Sequence, residues 1–449
     1  MKKQKKRRIR KGRLAILLAF LVAIITGICY GVYALVSLFL RNDAENAVQQ
    51  ETVLMPEVTK EMLACDSVMA HKLDSLMHVP QRLDTSKIAI SVYDVTTRRS
   101  IFTFHADERL IPASCMKIST AIAALKSLGM NHQYRTHILA MGEMHRDTLV
   151  GNLLLQADDD PLLENFDSLI GIMKRKGVRH VRGNVYINLE REDTLRPHPS
   201  AKAWDIPYHK TPLLLRGRRY VERNFHASLR MKGVTVRRDA TVKARLSQGS
   251  LGGGRYHYLA TVSHPLRDVI TPMLIHSSNI KADAVFYHLD RKKGLMPERR
   301  MQWDRKHHAE SFWQQQSLFP DSVMSLFAFH DGSGLSPLNR LSANSLVQML
   351  LFAYDDKPLR DFLIDEALAS TATPKRRGSL LTRMMHSDYQ GRIFCKTGTM
   401  TTQGSSSLAG YIVGNDGHWY IFSIINSDSP VAESRIFQDR LCKMMMRGE

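Results

Sequence analysis

Three short groups of residues stand in fixed order along the chain: Ser114-Cys115-Met116-Lys117, Ser277-Ser278-Asn279 and Lys396-Thr397-Gly398. Their side chains suit acyl transfer through a serine ester. A serine hydroxyl is a poor nucleophile at neutral pH and must lose its proton to a nearby base as it attacks a carbonyl. On a helix, residues three apart share a face, so Lys117 sits one turn beyond Ser114 with its amine within reach of the hydroxyl. An amine accepts a proton only when neutral, so this reading requires burial and a second cation near Lys117, for which Lys396 is the candidate. Ser277 can pass a proton towards a leaving nitrogen, and the Asn279 amide can hold both Lys117 and a peptide carbonyl. Lys396 and Thr397 suit a terminal carboxylate, while Gly398 keeps a strand edge clear for an extended substrate. The backbone N–H groups of Ser114 and Thr399 are the expected oxyanion pair.

Ser278-Asn279-Ile280-Lys281 and Ser342-Ala343-Asn344 also fit the first two patterns ahead of Lys396, and context decides between the two assignments. Pro112-Ala113 precedes Ser114, and Ile118, Ala121, Ile122 and Leu125 then recur at helical spacing, as a nucleophile on a buried helix requires. Upstream, Ile88 to Tyr93 and Ile101 to Phe104 flank a turn region and predict a hairpin. Downstream, Leu408 to Val413 and His418 to Ile425 flank Gly414-Asn415-Asp416-Gly417 and predict two more paired strands, followed by a closing helix over 430–446. One sheet built from both ends of the sequence would bring the three groups together.

With these neighbours the chain resembles the penicillin-binding protein 4 type of D-alanyl-D-alanine carboxypeptidase and endopeptidase. The resemblance rests on Pro112-Ala113-Ser114 with Lys117, on Ser277-Ser278-Asn279-Ile280-Lys281-Ala282-Asp283, and on Asp331-Gly332-Ser333-Gly334-Leu335-Ser336, its most distinctive stretch. Gly151-Asn152-Leu153 and Asp160-Pro161-Leu162-Leu163 resemble a weaker family segment. The resemblance implies an α/β fold of the transpeptidase and β-lactamase type, an antiparallel sheet flanked by helices and interrupted by an inserted β-rich lobe. It also implies hydrolysis of D-Ala–D-Ala ends of peptidoglycan stem peptides through an acyl-Ser114 intermediate, with D-Ala–diaminopimelate crosslinks as a second substrate and β-lactams as acylating inhibitors. A serine β-lactamase or esterase of the same fold would share this chemistry but turn over its acyl-enzyme quickly. A non-catalytic wall-binding protein is the alternative from another class, and the intact set Ser114, Lys117, Ser277, Asn279 and Lys396 stands against it.

The span between Ser114 and Ser277 exceeds what a nucleophile helix and its connections need. Its β-rich runs, Thr148 to Leu155 and Asn184 to Asn188, are separated by turn residues and predict a lobe of its own. The expected organisation is a basic tail over 1–13, a transmembrane helix over 14–40, a stalk with leading helices over 41–84, an inserted domain over 136–261, and a catalytic domain from 85–135 and 262–449.

Residues 1–13 are dense in Lys and Arg without an acid, and Leu14 to Leu40 carries no charge. A helix of about 20 residues spans a bilayer, and the basic flank stays cytoplasmic, so a single-pass inner-membrane anchor with an exported catalytic part is expected. A cleaved signal peptide has a shorter apolar core, about 7–15 residues. The formal net charge is +20, part of it in that tail, and an exported chain is not expected to meet nucleic acid. Five cysteines, with Cys29 inside the apolar stretch, do not form a disulfide framework, and Cys115 and Cys395 are expected as buried free thiols. No group of Cys, His and acid residues has ligand spacing, so neither a metal nor another cofactor is expected.

Overall fold

The computed structural model describes residues 58–78, 83–201, 208–237, 256–293, 306–316, 318 and 327–447. The expected membrane helix over 14–40 lies outside these residues, and no helix among the described ones is long and apolar enough to cross a membrane. The elements run α1 (Lys60–His78), β1 (Ile88–Asp94), β2 (Arg99–Phe104), α2 (Met116–Leu128), β3 (Gln133–His145), β4 (Thr148–Ala157), α3 (Asp167–Arg175), β5 (His180–Val181) and β6 (Val185–Leu189). They continue with α4 (Arg218–Met231), β7 (Thr235–Val236), β8 (Tyr256–Pro265), α5 (Leu266–Ile275), α6 (Asn279–Lys292), α7 (His308–Gln315), α8 (Ala343–Asp355) and α9 (Lys357–Phe362). Last come β9 (Ala369–Ser370), β10 (Ile393–Met400), β11 (Ser405–Val413), β12 (Trp419–Asn426) and α10 (Val431–Arg447).

The first sheet has the order β2-β1-β12-β11-β10-β9, and every neighbouring pair is antiparallel. Its central strands are apolar on both faces, which is why they read as continuous hydrophobic runs and not as a strict alternation. On one face Ile90, Val92, Phe422 and Ile424 meet Leu73 of α1 and Phe437, Leu441 and Met445 of α10. On the other, Ala89, Ile421 and Ile425 meet Ile122, Leu274, Phe286 and Leu350, from α2, α5, α6 and α8. Each of these side chains larger than alanine, fully buried, contributes roughly 1.5–3 kcal/mol. The expected hairpin and the expected closing pair of strands therefore form one sheet, with β1 paired directly to β12.

The second sheet has the order β7-β5-β4-β3-β8, with β6 also paired to β4. Unlike the first it is mixed, since β4–β5, β4–β6 and β5–β7 run parallel. Its apolar face, including Ile138, Leu153, Leu155 and Ile187, packs on Ile170 of α3 and Phe225 of α4.

Two helix ends matter for the site. α2 stops at Gly129, whose φ of +95° takes the chain out of the helix while its N–H still reaches Leu125 O. α5 ends at Ile275, and Ser277, at φ +59°, turns the chain into α6.

Candidate active site

Ser114 sits in a short 3₁₀ turn, Ala113–Cys115, that runs into α2. Ala113 has φ +45°, a conformation that L residues adopt at a cost of about 1–3 kcal/mol and that the surroundings must hold. Strand β11 supplies that hold: Ser405 Oγ donates to Ile111 O at 2.8 Å and Ser407 Oγ to Pro112 O at 2.6 Å. Strand β10 lies equally close. A Cβ on Gly398 would stand 2.0 Å from Ser407 Oγ and 2.8 Å from Pro112 O, so glycine is required there by space. Cys115 Sγ donates to Lys396 O at 3.2 Å, a second tie between the turn and the strand.

Lys117 is wholly buried, one turn beyond Ser114. Its Nζ lies 3.0 Å from Ser114 Oγ, 2.6 Å from Asn279 Oδ1 and 2.5 Å from Ser333 O. The first contact is local and readable from the spacing in sequence. The second brings in the first residue of α6, and the third comes from a loop to which sequence reasoning gave no part in the site.

That loop, Asp331 to Ser336, is organised by one carboxylate. Asp331 Oδ1 accepts from Ser333 N at 3.1 Å, from Gly334 N at 2.6 Å and from Asn339 Nδ2 at 2.9 Å, while Oδ2 accepts from Ser336 N at 2.6 Å. The loop is also clamped from α2 and α6, by Thr120 Oγ1 donating to Gly332 O at 2.9 Å and by Asp283 Oδ1 accepting from Gly332 N at 3.2 Å. A Cβ on Gly334, at φ +81°, would fall 1.8 Å from Ala113 O. The loop thus touches the Ala113–Cys115 turn and presents the Ser333 carbonyl to Lys117. In sequence the stretch carries the family resemblance and, as a dense run of Asp, Gly and Ser, predicts a tight turn, but neither says what the turn reaches.

Lys396 is buried on β10, where its Nζ donates to Thr397 O at 2.7 Å. Burial pushes its ammonium down to about 8. Thr397 and Thr399 are partly exposed at the same strand. Thr399 Oγ1 donates to Gly398 O at 2.8 Å and accepts from Arg435 Nη2, on α10, at 2.9 Å. Arg435 has no spacing signal that ties it to β10. Ser277 lies on the turn that delivers Asn279, and its φ of +59° is a second strained residue beside the site. Cys115 and Cys395 are free and buried on opposite faces of the sheet, as strand alternation requires of Cys395 and Lys396. Burial raises both thiols, that of Cys395 to about 12, so neither is a nucleophile.

Solved structures share this architecture. Penicillin-binding protein 4 from Haemophilus influenzae superposes with a TM-score of 0.64 at 16% identity, over 83% of this chain and 98% of that one. A predatory peptidoglycan endopeptidase from Bdellovibrio bacteriovorus superposes with a TM-score of 0.53 at 14% identity, over 80% and 92%. In sequence, a D-alanyl-D-alanine carboxypeptidase from an Actinomadura species is 34% identical over 116 residues, 25% of this chain and 21% of the relative. The D-alanyl-D-alanine carboxypeptidase DacB of Haemophilus influenzae is 25% identical over 105 residues, 23% and 22%. The chain thus spans about a fifth of the length of the curated relatives it matches. The model of the D-Ala-D-Ala carboxypeptidase 3 (S13) family, by contrast, matches residues 69–211 and 208–445, nearly all of the folded part. On that match, the chain belongs to the D-Ala-D-Ala carboxypeptidase 3 (S13) family.

Proposed function

We propose that this protein is a serine DD-peptidase that hydrolyses D-Ala–D-Ala ends of peptidoglycan stem peptides, with D-Ala–diaminopimelate crosslinks as a second substrate, and that β-lactams acylate it. The observation that carries the reading is the environment of Lys117. A neutral amine has two N–H bonds and one lone pair. Asn279 Oδ1 and Ser333 O are acceptors only, so they take the two N–H bonds, and the lone pair is left for the Ser114 hydroxyl at 3.0 Å. This is the arrangement a general base needs.

In the proposed cycle Lys117 takes the Ser114 proton as Oγ attacks the D-Ala carbonyl. The oxyanion faces the N–H groups of Ser114 and Thr399. The proton passes through Ser277 to the leaving amine, the C–N bond breaks, and water then cleaves the acyl-Ser114 ester with Lys117 again as base. Lys396, Thr397 and Thr399 receive the terminal carboxylate along the edge of β10. Family membership supports the substrate class, and the Haemophilus protein has been crystallised with a β-lactam. The catalytic part would work outside the cytoplasm, held at the inner membrane by the 14–40 segment.

Intact-protein mass spectrometry of the full chain with benzylpenicillin tests this, beside Ser114→Ala. A stable adduct on the unaltered chain alone is expected, together with release of D-Ala from pentapeptide. Adduct on both chains would place the nucleophile elsewhere, rapid drug turnover would favour a β-lactamase, and no reaction at all would favour a wall-binding protein.

A further inference from the structure

Away from Ser114, a cavity of about 290 Å³ opens where the second sheet meets the end of α6. It lies at the lower end of the size of small-ligand pockets, roughly 300–1,000 Å³, yet its lining side chains are all polar. Gln133, Arg135 and His137 alternate along β3 and so share one face, and Gln156 stands opposite His137 on β4. A solvent-facing sheet is ordinarily polar, but here Asp158, Lys292, His132 and His137 are held by hydrogen bonds. Asp158 accepts from Arg135 N at 2.9 Å and from Lys292 Nζ at 3.1 Å. His137 Nδ1 lies 2.9 Å from Thr261 Oγ1. His132 Nε2 lies 3.0 Å from His288 Nε2, and the other nitrogen of His288 lies 3.4 Å from Glu190 Oε2.

The charge state of these groups selects the ligand. Burial, then the neighbouring His288 and Lys292, lowers His132 to about 4, and burial lowers His137, so both rings are neutral at neutral pH. Lys292 is already paired with Glu190 and Asp158. Between the exposed Arg135 guanidinium and the Lys292–Asp158 pair, the floor offers neutral imidazoles and side-chain amides, which together donate and accept hydrogen bonds as hydroxyl and acetamido groups require. Beside them Tyr258, 59% exposed, meets the His137 ring edge-on at 5.1 Å and presents an aromatic face of the kind that covers the C–H side of a sugar.

We propose that this cavity binds the N-acetylated amino sugars of the wall glycan. The inference rests on the DD-peptidase reading for its choice of polymer. It is a docking point and not part of the reacting site: Ser114 precedes the first turn of α2 and Asn131 follows its last, about 20 Å along the helix. An extended five-residue stem spans at most about 17 Å. A sugar held here therefore belongs to the polymer beyond the reacting stem.

The test is titration of the full chain with N-acetylglucosamine tetramer by isothermal calorimetry, beside Gln156→Ala and His137→Ala. Saturable binding to the unaltered chain, weakened at least tenfold in both variants, is expected, with benzylpenicillin acylation of Ser114 unchanged in all three. The KM for a glycan-linked pentapeptide should rise in the variants while that for free pentapeptide stays put. No saturable binding, equal binding by the variants, or equal binding of maltotetraose would overturn the proposal. Since acylation is read separately, failure of the sugar site and failure of the DD-peptidase reading give different results.

Discussion

Two groups of ionisable side chains are buried on the first sheet, and desolvation acts on both. At one, Lys117 lies against uncharged oxygens of Ser114, Asn279 and Ser333, and Lys396 is pushed down to about 8 by burial. At the other, Asp66 of α1, Asp94 at the end of β1 and His418 just before β12 bring their ligand-type atoms within 4.8 Å of one another. There Asp94 Oδ2 pairs with His418 Nδ1 at 2.5 Å, Thr97 Oγ1 donates to Asp66 Oδ2 at 2.6 Å, and burial raises the Asp66 carboxyl to about 6. Burial favours the neutral form of each shifted group, amine and acid alike. What separates the two is access. Ser114 is partly exposed, so in the proposed reaction Lys117 would serve a group that substrate can reach, whereas all three members of the second cluster are closed in and fasten α1 to the sheet.

The largest effect should come from removing the base while keeping its volume. Lys117→Met is expected to slow acylation by benzylpenicillin about 10²–10⁴-fold, the usual range for a general base, with thermal unfolding still cooperative. Stopped-flow acylation rates decide it. A variant that acylates at the normal rate would place the base elsewhere and reduce the first cluster to a structural one like the second.

Two glycines with almost the same φ sharpen the contrast. Gly334 has φ +81° and its Cβ would meet Ala113 O at 1.8 Å, while Gly417, beside His418, has φ +80° with nothing within 4 Å. Gly417→Ala should cost only the conformational strain, about 1–2 kcal/mol, and leave acylation unchanged. Gly334→Ala adds displacement of the nucleophile turn, and acylation is expected to fall about 10²-fold, the scale set by a shift of roughly 1 Å at a reacting group. Equal effects at the two positions would mean that the Asp331–Ser336 loop does not position Ser114.

Much of this was legible in the sequence because it is local. The pairing of Ser114 with Lys117 needs only one helical turn, and the strands at both ends declare themselves by apolar runs around turn residues. The role of Ser333 was not legible, because it acts through a backbone carbonyl, which any residue possesses. Nor was the contact of Arg435 with Thr399, or the meeting of Asp66, Asp94 and His418, since each depends on tertiary pairing between distant segments. The same limit hid the parallel pairs β4–β6 and β5–β7, as parallel neighbours carry no hairpin signal.

Lys396 gives the first cluster a pH signature. Its ammonium, held down to about 8, loses its charge as pH rises through that value, and with it the attraction for a substrate carboxylate. For a carboxylate substrate kcat/KM should fall about tenfold per pH unit above that point. The Lys396→Gln variant should be slower and lack this limb. An alkaline limb that survives in Lys396→Gln would assign it to another group.

The smallest effect belongs to the second cluster and appears in stability, not rate. Asp66 is surrounded by Thr97, Asp94 and His418, and its carboxyl is raised in the fold from 3.8 to about 6. Between those values the folded chain binds more protons than the unfolded one, so stability falls as pH rises across the window and stays lower above it. Below about 4 both states are protonated and the penalty vanishes. Asp66→Asn keeps an acceptor for Thr97 and cannot ionise. It should therefore melt higher than the unaltered chain at pH 7.5, by about 2–4 °C, with the gap closing towards pH 4, and acylation should not change. If the unaltered chain melts higher at pH 7.5, the Asp66 carboxylate is stabilised by its neighbours, and the second cluster would be an ion-paired seat for α1 in which attraction outweighs desolvation.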